Sequence, residues 1–162
     1  MSVRIARARG ADDLATVAGM FRDYQRAIGV DLCFQGFAEE LATLPGRYAP
    51  PGGEILLARD ETGAAIGCIA LRPLEDEAAA EIKRLYVRPA GRGKGVGRLL
   101  VEAALALARE IGYREVRLDT LPQMEAAIAL YRSLGFVPTG NYNASPLAGI
   151  MHFQFALKLR WA

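Results

Sequence analysis

Short stretches of the chain alternate apolar and polar residues, the period expected of β-strands with one buried face. The first lies near the amino terminus, at 3–7. Two more, at 55–58 and 65–71, flank the turn sequence Asp60-Glu-Thr-Gly63 and predict a β-hairpin. Later strands are predicted at 81–87, at 116–121, from 136 onward and over 151–159.

The alternation in the strand at 81–87 falters at Lys83-Arg84, where two charged residues are adjacent. A β-bulge inserts one extra residue into a strand and thereby resets the facing of the residues that follow it. We therefore predict a bulge at this point, with the facing of the later residues reset.

Other segments repeat their apolar residues at helical spacing. A first helix is predicted to begin near Gly10, with acidic Asp12 and Asp13 in its first turn, and to end at Gly29. A short second helix is predicted within 35–44.

The clearest helix begins near Gly95 and ends at Gly112, and a fourth runs over 124–134 and ends at Gly135. The longer of these two carries an apolar stripe made of Val96, Leu99, Leu100, Ala103, Ala104, Leu107 and Ile111. Strands mixed with four helices predict one α/β or α+β domain over residues 1–162.

Composition narrows the classes of function. The chain has 162 residues, 52% apolar and 23% charged, which suits one globular domain, and its net charge of +2 is too small to indicate nucleic acid or an acidic membrane. No apolar run is long enough to cross a membrane and the amino terminus lacks a signal peptide's apolar core, so we expect a cytoplasmic protein. Cys33, Cys68 and the single His152 have no metal-ligand spacing, and no metal is expected.

Between the strand at 81–87 and the clearest helix lies a loop with the sequence Arg88-Pro-Ala-Gly-Arg-Gly-Lys-Gly-Val-Gly-Arg-Leu-Leu100. Glycines let the backbone approach a ligand closely, and the free N–H groups of a first helical turn favour an anion, so we predict phosphate binding. A Walker loop needs Ser or Thr after Gly93-Lys94, and a Gly-x-Gly-x-x-Gly fingerprint fits in no frame. An Arg-x-x-Gly-x-Gly pattern from Arg92 to Gly97 remains; the alternative is a surface turn with solvated charges.

This pattern resembles the acetyl-CoA pyrophosphate loop of the GNAT superfamily of N-acetyltransferases. The stretch from Leu85 to Leu100 resembles motif A of that family, and Ala127–Phe136, with Leu-Tyr-x-x-x-Gly-Phe, resembles its motif B. The element order agrees over nearly the whole chain. The resemblance implies a mixed, mostly antiparallel sheet of about seven strands with about four helices. It also implies a splay between the strands at 81–87 and 115–121.

The resemblance further implies that acetyl-CoA is the acetyl donor. The pantetheine arm would enter the splay and bond the main chain there, and loop amides would hold the pyrophosphate. The residues expected to bind the cofactor are Leu85, Tyr86, Val87, Arg92, Gly93, Lys94, Gly95, Val96, Gly97, Arg98 and Met124. Many members of the family have Asn at the position of Met124, whose side chain cannot make the amide contact as well.

The implied reaction is acyl transfer to an amine, which must lose a proton before it attacks. Tyr131 matches the family's tyrosine near the sulfur and is the expected general acid; the alternative is a core aromatic on an apolar helix face. Glu81, at the start of the splayed strand, is the expected base through water, or else a strand-end charge or a partner for Lys83. Asp119, on the adjacent strand, is a weaker candidate for the base.

The acceptor pocket is expected to include Phe34, Gln35, Phe37, Asp119 and Tyr142, with Asn143 and Ser145 approaching from the last loop; alternatively, the phenylalanines are core residues. The predicted function is direct transfer of acetyl, in a ternary complex, to a primary amine of a small molecule or a peptide. The alternative function is a non-catalytic acyl-CoA-binding or regulatory module. The sequence does not determine the oligomeric state, and a homodimer is one possibility. A nucleic-acid-binding domain is disfavoured because no aromatic residues interleave with the arginines.

Overall fold

A computed structural model describes residues 2–30, 32, 36–75, 78–143, 145 and 147–157 of the chain. Seven strands form one sheet in the order β1-β2-β3-β4-β5-β7-β6. The strands are β1 (Arg4–Arg7), β2 (Glu54–Arg59), β3 (Ala65–Pro73), β4 (Ala79–Val87), β5 (Glu115–Thr120), β6 (Val137–Pro138) and β7 (Met151–Ala156). The helices are α1 (Gly10–Ile28), α2 (Phe37–Ala42), α3 (Val96–Ile111) and α4 (Glu125–Leu134). All the predicted strands and helices are present in the described part of the chain, which also contains two short 3-10 turns that were not predicted, Gly46–Tyr48 and Pro89–Gly91.

The sheet is mixed and mostly antiparallel, as expected. β4 and β5 form its parallel pair, and all its other neighbouring strands are antiparallel. Alternate residues of each central strand enter apolar clusters on opposite faces, so that Leu56 packs with α3 and α4 while Leu57 packs with α1 and α2. The sheet is therefore covered by helices on both faces.

The predicted bulge in β4 is present. The antiparallel register between β3 and β4 shifts by one residue between the pairs Cys68↔Tyr86 and Ala70↔Lys83. Arg84 lies inside the shift, and its φ of 61° is the left-handed conformation seen at no other non-glycine residue among those described. One face of β4 consequently carries Glu81, Lys83, Arg84 and Tyr86, and the other carries Ile82, Leu85 and Val87.

The predicted splay between β4 and β5 is also present. The two strands pair only at Ala79↔Glu115, Ala80↔Val116 and Glu81↔Arg117. Beyond these pairs β4 continues to Val87, and β5 to Thr120, without a common ladder. The carboxyl-terminal half of β4 therefore presents its backbone to the gap on this side.

The apolar stripe predicted for α3 is partly wrong. Leu99 and Ile111 are 40% and 36% exposed, whereas Val101, Leu105 and Ala108 are buried against the sheet. The helix is apolar around more than half of its circumference, so its sequence allows two overlapping stripes. Packing selects the stripe rotated toward Val101.

Across the described residues, no helix combines the length and apolar character that a membrane crossing needs. In the same part of the chain, no group of histidine, cysteine and carboxylate side chains is arranged to hold a metal ion.

Candidate active site

A cleft of about 490 Å³ opens where β4 leaves β5, and we call it the main cleft. Its walls are the end of α1, the end of β4, the glycine-rich loop with the start of α3, and the start of α4. Every residue predicted to bind the cofactor lines this cleft except Lys94 and Arg98. The predicted residues that line it are Leu85, Tyr86, Val87, Arg92, Gly93, Gly95, Val96, Gly97 and Met124.

The glycine-rich loop is shaped by two glycines and a helix start. Gly93 and Gly95 both have φ of +76°, a conformation that strains residues with a Cβ. Gly95 is the N-cap of α3 and, like any glycine, has no side chain to bond the helix's first amides. The first N–H groups of α3 consequently lack intrahelical partners at the edge of the main cleft, where the helix dipole favours an anion.

The loop's basic side chains differ in what they contact. Arg92 lines the main cleft, with its Nε donating to the Val87 carbonyl at 3.0 Å and its guanidinium 5.8 Å from the centre of the Tyr86 ring. Lys94 donates to the Ala90 carbonyl at 3.0 Å. Arg98 turns toward α4, donating to Ser133 at 2.6 Å and pairing with Glu102 at 3.6 Å. Of these three cations, Arg92 is therefore the one placed at the cleft.

A second, smaller cavity lies at the inner end of the main cleft, and we call it the inner cavity. Its volume is about 30 Å³. Tyr24, Ile28, Leu85 and Met124 line both spaces, so the two are contiguous. The polar residues of the inner cavity are Tyr24, Lys83, Arg84, Asp119, Thr120 and Tyr131.

Tyr131 lies on α4 with its ring packed against Phe136, at 5.5 Å between ring centres. It is buried, and burial raises the pKa of its hydroxyl well above the ordinary value. Among the described residues the hydroxyl has no hydrogen-bond partner, although it borders the inner cavity. Tyr131 thus has a ring that packs in the core and a protonated hydroxyl at the end of the cleft. The two roles considered from the sequence, core aromatic and general acid, are therefore compatible.

Glu81 is 1% exposed and lines neither cavity. Its Oε1 accepts from Arg72 at 2.9 Å from Nε and 2.8 Å from Nη2, and its Oε2 accepts from the Tyr142 hydroxyl. The structure therefore places Glu81 in a saturated buried ion pair rather than in the cleft. Its partner is Arg72 on β3, and the partner considered from the sequence, Lys83, instead pairs with Asp119.

Lys83 and Asp119 face each other across the gap, with 3.8 Å between Nζ and Oδ1. Their side chains are 5% and 12% exposed. Burial lowers the pKa of Lys83, against the opposing effect of the Asp119 charge. Asp119 is therefore a carboxylate at the inner cavity whose nearest cation is one that can lose its proton.

Asn143 links Asp119 to His152. Its Nδ2 donates to Asp119 Oδ2 at 2.7 Å, and its Oδ1 lies 3.0 Å from His152 Nε2. Because the carboxylate can only accept, Asn143 Oδ1 is the acceptor and His152 Nε2 carries the hydrogen. His152 was not among the site residues predicted from the sequence. His152 is identified by the register of β5 with β7, which places it directly opposite Asp119 on the neighbouring strand.

The residues predicted to form the acceptor pocket do not lie together in the structure. Phe34 and Gln35 lie outside the described residues. Phe37 is buried in the core beneath the Arg84 guanidinium, 5.3 Å from the ring centre, and it lines neither cavity, which corresponds to the core alternative. Tyr142 packs edge-on against His152 and contacts Glu81. Of the described members of this set, Asp119 alone borders the inner cavity.

Comparison with known proteins agrees with this geometry. Residues 20–136 match the model of the acetyltransferase (GNAT) family. An N-acetyltransferase of Schizosaccharomyces pombe, named as uncharacterized, is 36% identical over 156 residues, covering 96% of both chains. The IAA acetyltransferase of Azospirillum brasilense is 36% identical over 106 residues, covering 64% of this chain and 69% of its own.

Solved structures show the same fold. An acetyltransferase of the GNAT family from Staphylococcus aureus has a TM-score of 0.80 at 18% identity, covering 97% of this chain and 100% of its own. An acetyltransferase of Salmonella typhimurium, solved with its cofactor acetyl-CoA, has a TM-score of 0.73 at 22% identity, covering 100% and 98%. The matched family model, the relatives and the splayed sheet agree, and this chain belongs to the GNAT family of acetyltransferases.

Proposed function

We propose that this chain transfers an acetyl group from acetyl-CoA to a primary amine of a small molecule or a peptide, by direct attack. The observation that carries the proposal is the opening of β4 from β5 into a cleft that leads from a glycine-rich helix start to a protonated tyrosine. The Salmonella neighbour, of the same fold, carries acetyl-CoA. The relatives named as N-acetyltransferases support an amine as the acceptor.

In this proposal the pantetheine arm lies along β4. The backbone groups of Leu85 and Val87 face the gap left by β5 and need partners, which an amide-bearing arm supplies. The start of α3 and the amides from Arg92 to Gly97 hold the pyrophosphate. Arg92 now donates to the Val87 carbonyl, so it must release that oxygen to the arm and can then pair with a phosphate.

We propose that Asp119 accepts the proton of the amine. Asp119 lines the inner cavity and its nearest cation, Lys83, is 3.8 Å away, whereas Glu81 lines neither cavity and is held at 2.8–2.9 Å by Arg72. Glu81 then positions Tyr142 and the strand pair instead of acting as the base, which reverses the ranking expected from the sequence. A backbone N–H of β4 at the bulge stabilises the oxyanion, and Tyr131 protonates the departing thiolate.

Isothermal titration with acetyl-CoA tests the donor site. We expect saturable binding that weakens about tenfold in Arg92→Gln, because a charge-assisted contact to phosphate is lost. Arg109→Gln, in the last turn of α3, is the matched control and should bind as the wild type does. Absence of binding at millimolar acetyl-CoA would remove the donor assignment.

A screen of primary amines with thiol release as the readout tests the reaction. We expect coenzyme A release that depends on both protein and amine, with an acetylated amine as the second product. A set of alcohols of matched shape is the control for acceptor type. If acetyl-CoA binds but no amine class is acetylated, transfer to an amine is contradicted.

A further inference from the structure

Lys83 is chemically set apart from the other basic residues of the chain. Only three of the 20 basic residues are lysines, at positions 83, 94 and 158. Arginine does not lose its proton in proteins, whereas a lysine can become a neutral amine. Lys94 is exposed on the glycine-rich loop, and Lys83 is buried at the inner cavity. Of the two lysines that the structure describes, Lys83 is thus the amine placed at the end of the main cleft.

The size of the inner cavity indicates what can reach Lys83. A water molecule needs roughly 10–15 Å³ by the same measure, so about 30 Å³ holds two waters or a group as small as acetyl. A whole acceptor molecule does not fit, and only its amine end can enter the cavity to reach Asp119. Because the cavity joins the main cleft at Leu85 and Met124, a donor lying along β4 would bring its acyl end to this point.

The surroundings of Lys83 favour the loss of its proton. Burial lowers its pKa, and Arg84 beside it on β4 and Arg72 on β3 act in the same direction. The negative charges of Asp119 on β5 and Glu81 on β4 oppose this effect. Glu81 is occupied by Arg72, whereas Asp119, 3.8 Å from the Lys83 amine, is the carboxylate placed to take its proton once the two groups close to hydrogen-bond distance.

We propose that this protein acetylates its own Lys83 when acetyl-CoA is bound and no acceptor is present, an inference that rests on the proposed function. The Lys83 ammonium gives a proton to Asp119, and its lone pair attacks the thioester carbonyl carbon. An N–C bond forms and the C–S bond breaks. Coenzyme A leaves as a thiolate that takes the Tyr131 proton. The second proton of the attacking amine, lost as the amide forms, passes through solvent and restores the tyrosine, and Asp119 releases its proton to solvent. The net products are acetyl-lysine, coenzyme A and one proton.

The modification would change the site. The acetyl-lysine carries no charge, so Asp119 loses its ion-pair partner, and the added group fills the inner cavity. Acetylated protein should therefore turn over an amine substrate several-fold more slowly than unmodified protein. The modification would act as a brake when donor is abundant and acceptor is scarce.

Mass spectrometry of the intact protein and of its peptides tests the inference. The folded protein is incubated with acetyl-CoA without an amine, and the expected result is a gain of one acetyl group at Lys83. The rate at Lys83 should exceed, at least tenfold, the rate at the same lysine in protein unfolded with urea. Saturating coenzyme A, which competes for the main cleft, should suppress the reaction. Lys83→Arg, which keeps the charge, should remove it.

The outcomes separate this inference from the function it rests on. Titration of the same sample with acetyl-CoA is run in parallel. If acetyl-CoA does not bind, the proposed function and the self-acetylation both fall. If it binds and Lys83 stays unmodified, or reacts no faster than in the unfolded chain, self-acetylation alone is overturned. Peptide mapping of the wild type decides the question even where Lys83→Arg folds poorly.

Discussion

Tyr131 combines a buried ring with a hydroxyl at the inner cavity, and this combination makes its role testable. Burial holds its pKa well above the ordinary tyrosine value, so the hydroxyl keeps its proton throughout the neutral range. A general acid contributes about 10²–10⁴-fold to rate, so Tyr131→Phe should lower kcat at least ~100-fold. Acetyl-CoA affinity should stay within about twofold, since no described residue depends on this hydroxyl for a hydrogen bond. Steady-state thiol release and titration measure the two quantities, and an unchanged kcat would exclude Tyr131 as the acid.

Glu81 and Asp119 show how much of the general-base assignment could be predicted from residue identity alone. The sequence identified both carboxylates and ranked Glu81 first, because it opens the splayed strand. It could not show that Arg72 and Tyr142 occupy Glu81, since those contacts depend on the β3–β4 register and on a distant loop. The hydrogen bonds of a carboxylate, more than its position on a strand, determine whether it is free to take a proton.

Two amide substitutions separate the roles of these carboxylates. Glu81→Gln leaves the Arg72 guanidinium without its counter-charge, and breaking such a buried pair costs about 3–5 kcal/mol of unfolding free energy. Asp119→Asn should instead lower kcat ~100-fold, because the proposed proton acceptor is lost. Urea unfolding and steady-state kinetics on both variants provide the comparison. Equal kcat in Asp119→Asn and wild type would contradict the assignment of Asp119.

The pH dependence of stability adds a second distinction between these variants. Burial holds the pKa of Lys83 in the folded state below its unfolded value of about 10.4, so folding is penalised while Lys83 is protonated. That penalty is larger in Asp119→Asn and is relieved as pH rises toward the unfolded pKa. The stability deficit of Asp119→Asn should therefore shrink as the pH rises toward the unfolded pKa of about 10.4. The deficit of Glu81→Gln should persist, because Arg72 cannot lose its proton.

At the scale of elements, strand and helix periodicity predicted nearly every segment, and local irregularity predicted the bulge. Two adjacent charges at 83–84 were sufficient, because a half-buried strand does not place neighbouring charged residues on opposite faces without cause. The rotation of α3 was not predictable in the same way. Leu99 and Val101 are equally apolar, and only the sheet's shape decides which of them is covered. The spacing of apolar residues is thus a local property of the sequence, whereas the side of a helix that is buried depends on packing against the sheet.

Helix α4 begins at a residue that is a poor cap. Met124 is its N-cap and makes no side-chain cap hydrogen bond, while Thr120 donates weakly to its sulfur at 3.5 Å. Met124→Asn should stabilise the protein by about 0.5–1 kcal/mol, because an amide oxygen can bond the first helix N–H groups. The same amide borders the main cleft and should strengthen acetyl-CoA binding. Urea unfolding and titration test both effects, with Met124→Leu as the control that should show neither.

For the molecule as a whole, the order of elements was predictable because each element's pattern is local and the two family motifs fix the sequence of elements. The polar network from Lys83 through Asp119 and Asn143 to His152 was not predictable. Its members come from two parallel strands, a loop and an antiparallel strand, and meet only through the registers of β5 with β4 and β7. Donor binding therefore follows from contiguous sequence, whereas acceptor chemistry depends on the assembled sheet.

Under the proposed function, donor bound in the splay should stabilise the whole molecule. β4 and β5 share only three residue pairs, so a ligand bound along β4 adds contacts across the sheet that the unfolded chain cannot form. Binding to the folded state alone contributes about 2.7 kcal/mol at a ligand concentration of ~100 Kd. For a domain of this size that corresponds to a rise in Tm of roughly 5–10 °C, which thermal scans at increasing acetyl-CoA measure. Arg92→Gln should need about tenfold more ligand for the same rise, and Arg109→Gln should match the wild type. A Tm that does not move at concentrations where titration shows saturation would mean that the ligand binds the folded and unfolded chains equally, and not the cleft between these strands.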